Sequence, residues 1–146
     1  MNRIICKDAL AALRELPDGC VNLCVTSPPY YGLRDYGVDG QIGIEESPQA
    51  YICRFVEVFR EVRRVLTDDG TLWLNIADSY AGSGKGIWKG TPEKTVCKNN
   101  YRADTTTAIH GMPVVWDGIK AKDMIGIPWM LAFALRADGW YLRSDI

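Results

Sequence analysis

Residues Val21 to Thr26 (VNLCVT) are apolar and rich in β-branched side chains, and they run directly into Ser27-Pro28-Pro29-Tyr30. The two prolines decide what that stretch can become. Proline carries no amide hydrogen and holds φ near about −65°, so this bend cannot extend a central sheet ladder. The run therefore reads as a strand, covered on both faces in a parallel sheet, that is forced to stop. The chain leaves it rigidly, with carbonyl oxygens that are open to some other donor.

Around that strand the pattern alternates. Arg3 to Cys6 is a short apolar run, and Ala9, Leu10, Leu13 and Leu16 recur at helical spacing until Pro17-Asp18-Gly19 stops them. Ser47-Pro48 offers an N-cap followed by proline at the first helical position. Ile52, Phe55, Val56, Phe59, Val62 and Leu66 then mark one helix face, which Asp68-Asp69-Gly70 ends. Thr71 to Ile76 (TLWLNI) reads as a buried strand. A further helix starts at Gly126-Ile127-Pro128, with Trp129, Ala132, Phe133 and Leu135 expected toward a core, and Trp140 to Ile146 begins a last strand. This order predicts an α/β chain with a mostly parallel sheet, right-handed crossovers and helices on both faces. Ligands of such sheets gather at the carboxyl ends of strands. Ser27-Pro28-Pro29-Tyr30, Asp8 and the Asn75 to Tyr80 stretch all lie at such ends. From about Gly82 to Lys122 the periodicity gives way to a polar loop of glycine, lysine, threonine and asparagine, of the functional or disordered kind.

Length and composition narrow the class. A chain of 146 residues, 47% of them hydrophobic, supports one domain with a core, or part of one. Its formal net charge of -1 supplies no basic field of the sort that draws a protein to a phosphate backbone. The five cysteines (Cys6, Cys20, Cys24, Cys53, Cys97) form no CxxC pair, and the only histidine, His110, stands apart from all but one of them. Zinc spacing is lacking, so the thiols read as reduced packing residues and no metal is expected. With no long apolar run and no signal-peptide core, the expectation is a cytoplasmic protein without a membrane partner. The glycines of GSGKG (residues 82–86) lack the ending of a phosphate-binding loop, and that reading is rejected.

The chemistry sits in the proline turn. Ser27 adds a hydroxyl acceptor to the exposed carbonyls, and Tyr30 offers a flat ring on which a planar group can stack, a contact worth about 1 to 3 kcal/mol per base. Acceptors beside a stacking face suit an aromatic amine. Thr26-Ser27-Pro28-Pro29-Tyr30 resembles the [D/N/S]-P-P-[Y/F/W] motif of the DNA methyltransferases that modify cytosine N4 or adenine N6. The stretches CKDALAALRELPDGCVNLCVTSPPYYGLRDYG, LTDDGTLWLNIADSY and GIPWMLAFALRADGWYLRSDI are similar, in unbroken order, to successive blocks of that family, with the polar loop left out. The resemblance implies part of a Rossmann-like sheet, S-adenosylmethionine as cofactor, double-stranded DNA as partner, and a base flipped out of the duplex. It implies catalytic roles for Ser27, Pro28, Pro29 and Tyr30. It also implies cofactor contacts from Asp8, Thr26, Ser27 and Pro28, with no cysteine intermediate. Cytosine N4 is favoured over adenine N6 because the motif begins with serine.

Several residues remain open to two readings. Asp8 is either an acceptor for the cofactor's adenine amine or an N-cap, and one aspartate can serve both. Asp78 and Ser79 either line the pocket or form an ordinary turn. Arg34, Asp35 and Tyr36 belong to a loop closing over the flipped base or to plain exposed loop. Tyr31, Arg34, Tyr36, Lys85 and Lys89 are candidate DNA contacts, the lysines against the alternative of a solvated linker. The glycine-rich FxGxG segment and a target-recognition region are not found in these residues. The expected sheet is therefore incomplete, and the expected partners include a missing carboxyl-terminal half or a second copy. The alternatives are an inactive fragment serving as an interaction or DNA-binding module, and an RNA or protein amine methyltransferase, in which the first motif residue is normally asparagine.

Overall fold

In the computed structural model, residues 4–81, 119–120 and 122–146 are described. They form α1 (Ala9–Arg14), β1 (Val21–Thr26), α2 (Pro48–Val65), β2 (Leu66–Leu74) and α3 (Ile127–Ala137). The chain divides into two compact units. The first comprises Met1–Pro28, Ile52–Ile76 and Pro128–Ile146, and the second Pro29–Tyr51 and Ala77–Ile127.

In the first unit, β1 stops at Thr26, where the prolines require it. It pairs with β2 in parallel, with Leu23 opposite Thr71, Val25 opposite Trp73 and Thr26 opposite Leu74. One more ladder step follows the strands, because Asn75 N donates to Thr26 O at 2.9 Å. A parallel pair joined through α2 is the βαβ unit that the alternation predicted.

Asp68-Asp69-Gly70 does not end the helix, as the sequence suggested. α2 already stops at Val65, and Leu66 pairs with Val21 before the register jumps to Leu23 and Thr71. The two aspartates and the glycine are thus the bulge of β2. Gly70 is required there, since a Cβ would stand 2.9 Å from the Thr67 carbonyl oxygen.

The helices in this unit are fixed by their ends. Asp8 caps α1, its Oδ1 accepting from Ala11 N at 2.9 Å. The other end of α1 is held by Arg64, whose guanidinium donates to the carbonyls of Leu13 (2.8 Å) and Leu16 (2.9 Å) while also bonding Glu61 (2.8 Å). Arg60 pairs with Asp138 at 2.6 Å and Arg63 donates to the Asp138 carbonyl at 2.9 Å, tying α2 to the end of α3. On α2, Ile52, Phe55, Phe59 and Val62 are buried as the spacing predicted, with Phe55 and Phe59 stacked at 5.8 Å.

Three expectations are corrected. The buried face of α3 is Ile127, Leu131 and Leu135, spaced by four, whereas Trp129 and Phe133 are 52% and 56% exposed and pair with each other at 6.4 Å. Large aromatic size misled the assignment of that face. The described residues of the first apolar run, and Trp140 to Ile146, form no strand, and Ile4 and Ile146 are almost fully exposed. A strand exists only when a neighbour completes its ladder, which sequence pattern alone does not supply. Among the described residues the sheet has two strands, and Val25 and Trp73 leave an apolar face in solvent, as expected of an incomplete sheet. No helix among these residues is long and apolar enough to cross a membrane.

The α3 correction is testable by urea unfolding. Leu131→Ala is expected to cost about 2 to 5 kcal/mol, and Phe133→Ala less than about 1 kcal/mol.

Candidate active site

The second unit begins at Pro29. The serine of Ser47-Pro48 accepts from Ala50 N at 3.1 Å through Oγ, and its carbonyl accepts from Tyr51 N at 3.1 Å, which fixes the first turn of α2. Tyr51, thereby placed and wholly buried, donates its hydroxyl to the Pro29 carbonyl at 2.8 Å. The next carbonyl, of Tyr30, accepts from Leu33 N at 3.3 Å, and that of Tyr31 accepts from Ser79 Oγ at 2.6 Å. All three carbonyls from Pro29 to Tyr31 are therefore engaged. The expected acceptor cradle shrinks accordingly, since these three carbonyls already have donors within the chain.

A second segment backs the turn. Gly43 accepts from Gly32 N at 2.8 Å, and Glu45 accepts from Gly43 N at 2.9 Å. Gly43 has φ 108°, and a Cβ there would lie 3.0 Å from the Tyr30 carbonyl oxygen, so only glycine fits without strain.

Tyr31, expected to contact DNA, is corrected. It is 1% exposed, with its ring 5.2 Å from that of Tyr51 at a tilt of 55°, and so supports the turn from inside. Arg34 and Tyr36 are exposed, in a loop shaped by Gln41, which accepts from Tyr36 N (2.7 Å) and donates to the Arg34 carbonyl (3.0 Å). Asp35 adds a tight turn by accepting from Gly37 N at 2.7 Å. Asp35, Asp39, Glu45 and Glu46 follow Arg34 in the sequence, so this segment is acidic. Lys85 and Lys89 lie outside the described residues.

Asp78 has a role that neither of its two readings named. Its carboxylate accepts from Gly126 N (2.9 Å), Ile127 N (2.9 Å) and Ser79 N (2.8 Å), capping the start of α3. Gly126-Ile127-Pro128 opens a helix with no capping side chain of its own, and the cap comes from elsewhere in the chain. Beside it, Ser79 to Ala81 and Lys122 to Ile125 are joined by Ala81 N to Asp123 O (2.8 Å) and Ile125 N to Ser79 O (2.9 Å). Sequence reading missed Tyr51, which acts on a residue 22 positions away, and Gln41 and Gly43, whose loop contacts no periodic pattern marks.

Burial sets the titration of this unit. It pushes Tyr31 up to about 12, with Glu45 adding repulsion. Tyr51 is raised further, first by burial, then by Glu45 and Tyr30, against a backbone hydrogen bond from Tyr31. Both are neutral near pH 7, so Tyr51 has a proton to donate. In the first unit, burial raises the Cys24 thiol, which keeps it protonated and a poor nucleophile. Asp8 caps α1, and Thr26 gives its carbonyl to Asn75 N, while the Ser27 residue is exposed.

A parallel βαβ unit whose first strand ends in Ser-Pro-Pro-Tyr defines the class. The chain belongs to the N4/N6 DNA methylase family, and the family model described as DNA methylase matches residues 21–146. It is 55% identical over 139 residues to the type II methyltransferase M.Cfr9I of Citrobacter freundii, covering 95% of this chain and 43% of that one. It is 52% identical over 139 residues to M.XycI of Xanthomonas campestris pv. cyanopsidis, with coverage of 95% and 43%. To M.SmaI of Serratia marcescens it is 50% identical over 144 residues, with coverage of 99% and 46%. The chain thus spans less than half the length of these relatives. No solved structure matches it.

The buried tyrosines predict an alkaline transition with a definite sign. Below the ordinary tyrosine value of 10 both states keep their protons and the stability is fully present. As pH rises from there to about 12, the unfolded chain ionises first and stability is lost. The thermal midpoint should fall across that window, and fall less in Tyr31→Phe.

Proposed function

We propose that the chain carries the amine-accepting part of a site-specific, cytoplasmic DNA methyltransferase that uses S-adenosylmethionine and methylates cytosine N4 in preference to adenine N6. The observation that carries this reading is the turn itself: β1 stops at Thr26, and Ser27, Pro28, Pro29 and Tyr30 follow at the carboxyl end of a parallel strand. An exocyclic amine of a base is a weak nucleophile because its lone pair is delocalised into the ring. Two acceptors on its hydrogens favour a pyramidal nitrogen whose lone pair is available for attack. The Tyr30 ring stacks on the flipped base and holds it in line. Ser27 acts as an acceptor, since an unassisted hydroxyl has no accessible charged form near neutral pH.

The donor set suits the cofactor's adenosine end. Asp8 is an exposed carboxylate with one oxygen engaged in capping, and it sits in the same unit as Ser27 and Pro28, which follow the carboxyl end of β1. Asp8, Thr26, Ser27 and Pro28 would hold that end. When bound, the cofactor supplies a methyl group on an electrophilic sulfonium. The methionine end calls for an FxGxG segment, which these residues lack.

The partners follow from the same reading: double-stranded DNA, and either further methylase polypeptide or a second copy against the open sheet face. Val25 at 71% exposure and Trp73 at 52% favour such a contact.

The assay uses the longest polypeptide that the gene encodes, a DNA substrate, and digestion with mass analysis of nucleosides. N4-methylcytosine is the expected product, and neither methylated base appearing would sink the reading. Tyr30→Ala should lower the rate by about ten- to a hundredfold, and Ser27→Ala by at least about tenfold.

A further inference from the structure

Proline fixes φ at residues 28 and 29 but leaves the rotation beyond Pro29 open. That rotation sets the direction in which Tyr30 leaves the chain. The peptide plane before Tyr30 is held by Tyr51, whose hydroxyl donates to the Pro29 carbonyl at 2.8 Å, and the plane after Tyr31 is held by Ser79, whose hydroxyl donates to the Tyr31 carbonyl at 2.6 Å. Both donors come from outside the motif, one from the first turn of α2 and one from the segment after β2. Tyr51 is fully buried, as is the neighbouring Tyr31 ring, so neither touches a ligand.

We infer that Tyr51 and Ser79 are positioning residues for methyl transfer: by engaging the carbonyls on either side of Tyr30, they aim its ring at the base and keep the Pro29 carbonyl from competing for the amine. The inference rests on the proposed function and deepens it. Tyr51→Phe preserves the ring and its packing, and removes the hydroxyl that donates to the Pro29 carbonyl and receives the Tyr31 backbone hydrogen bond. The Pro29 carbonyl then becomes an available acceptor one residue out of place, and Tyr30 gains rotational freedom. Misalignment of that size acts on the chemical step more than on binding.

The test measures kcat, KM for DNA, KM for S-adenosylmethionine and the thermal midpoint in the longest polypeptide that the gene encodes, as wild type, Tyr51→Phe, Ser79→Ala and Phe59→Leu. The last variant damages the buried face of α2 without touching the turn. Expected is a fall in kcat of at least about tenfold for Tyr51→Phe, with both KM values within about threefold, and a smaller fall in the same direction for Ser79→Ala. Phe59→Leu should lower the midpoint and leave kcat unchanged. An unchanged kcat in Tyr51→Phe overturns the inference and leaves the proposed function standing. So does a fall that Phe59→Leu reproduces at the same midpoint, because it would be structural only. A wild type that methylates neither base overturns the proposed function, and the inference with it.

Discussion

Two consecutive residues without an amide hydrogen end the first strand, and the rest of the turn follows from that deficit. Pro28 and Pro29 cannot join the ladder, so β1 closes at Thr26 and the carbonyls beyond it must be satisfied by other donors. The structure satisfies them one by one: Tyr51 bonds Pro29, Leu33 bonds Tyr30, Ser79 bonds Tyr31. Each such bond is worth only about 1 kcal/mol net, so their value lies in direction more than in stability. A set of modest bonds around one aromatic residue fixes the course of the bend from Pro29 to Tyr31.

What could be read in the sequence was what depends on neighbours. The end of β1, the Ser47-Pro48 start of α2 and the buried stripe from Ile52 to Val62 all follow from local rules, and all are present. The motif itself was legible for the same reason, since a proline turn carries its geometry in its own residues. Long-range partners were not legible. Tyr51 is 22 positions from Pro29, and Asp78 is 48 from Gly126. Nothing in either local pattern announces the other. Size misled the reading of α3, where spacing by four selects Ile127, Leu131 and Leu135 over the larger Trp129 and Phe133. Net charge pointed away from a nucleic-acid partner, whereas the chain belongs to a DNA methylase family; a whole-chain sum of -1 says little about any one surface.

Membership of the DNA methylase family gives these features a common purpose. Two parallel strands are a marginal sheet alone, and in this chain they leave Val25 and Trp73 in water. The relatives named above are more than twice as long as the matched region, and the proposed partners of the open face are consistent with that difference. The turn is different in kind from the sheet. The donors to its Pro29, Tyr30 and Tyr31 carbonyls all lie in the second unit.

The most direct measurement is a structure of the intact polypeptide bound to a DNA duplex containing its target, read at the amine nitrogen of the extruded base. Distances of about 2.7 to 3.2 Å to both Ser27 Oγ and the Pro28 carbonyl, with the Tyr51 hydroxyl still on Pro29, are the predicted result. An amine bonded instead to the Pro29 carbonyl, or a target base remote from Tyr30, would contradict it.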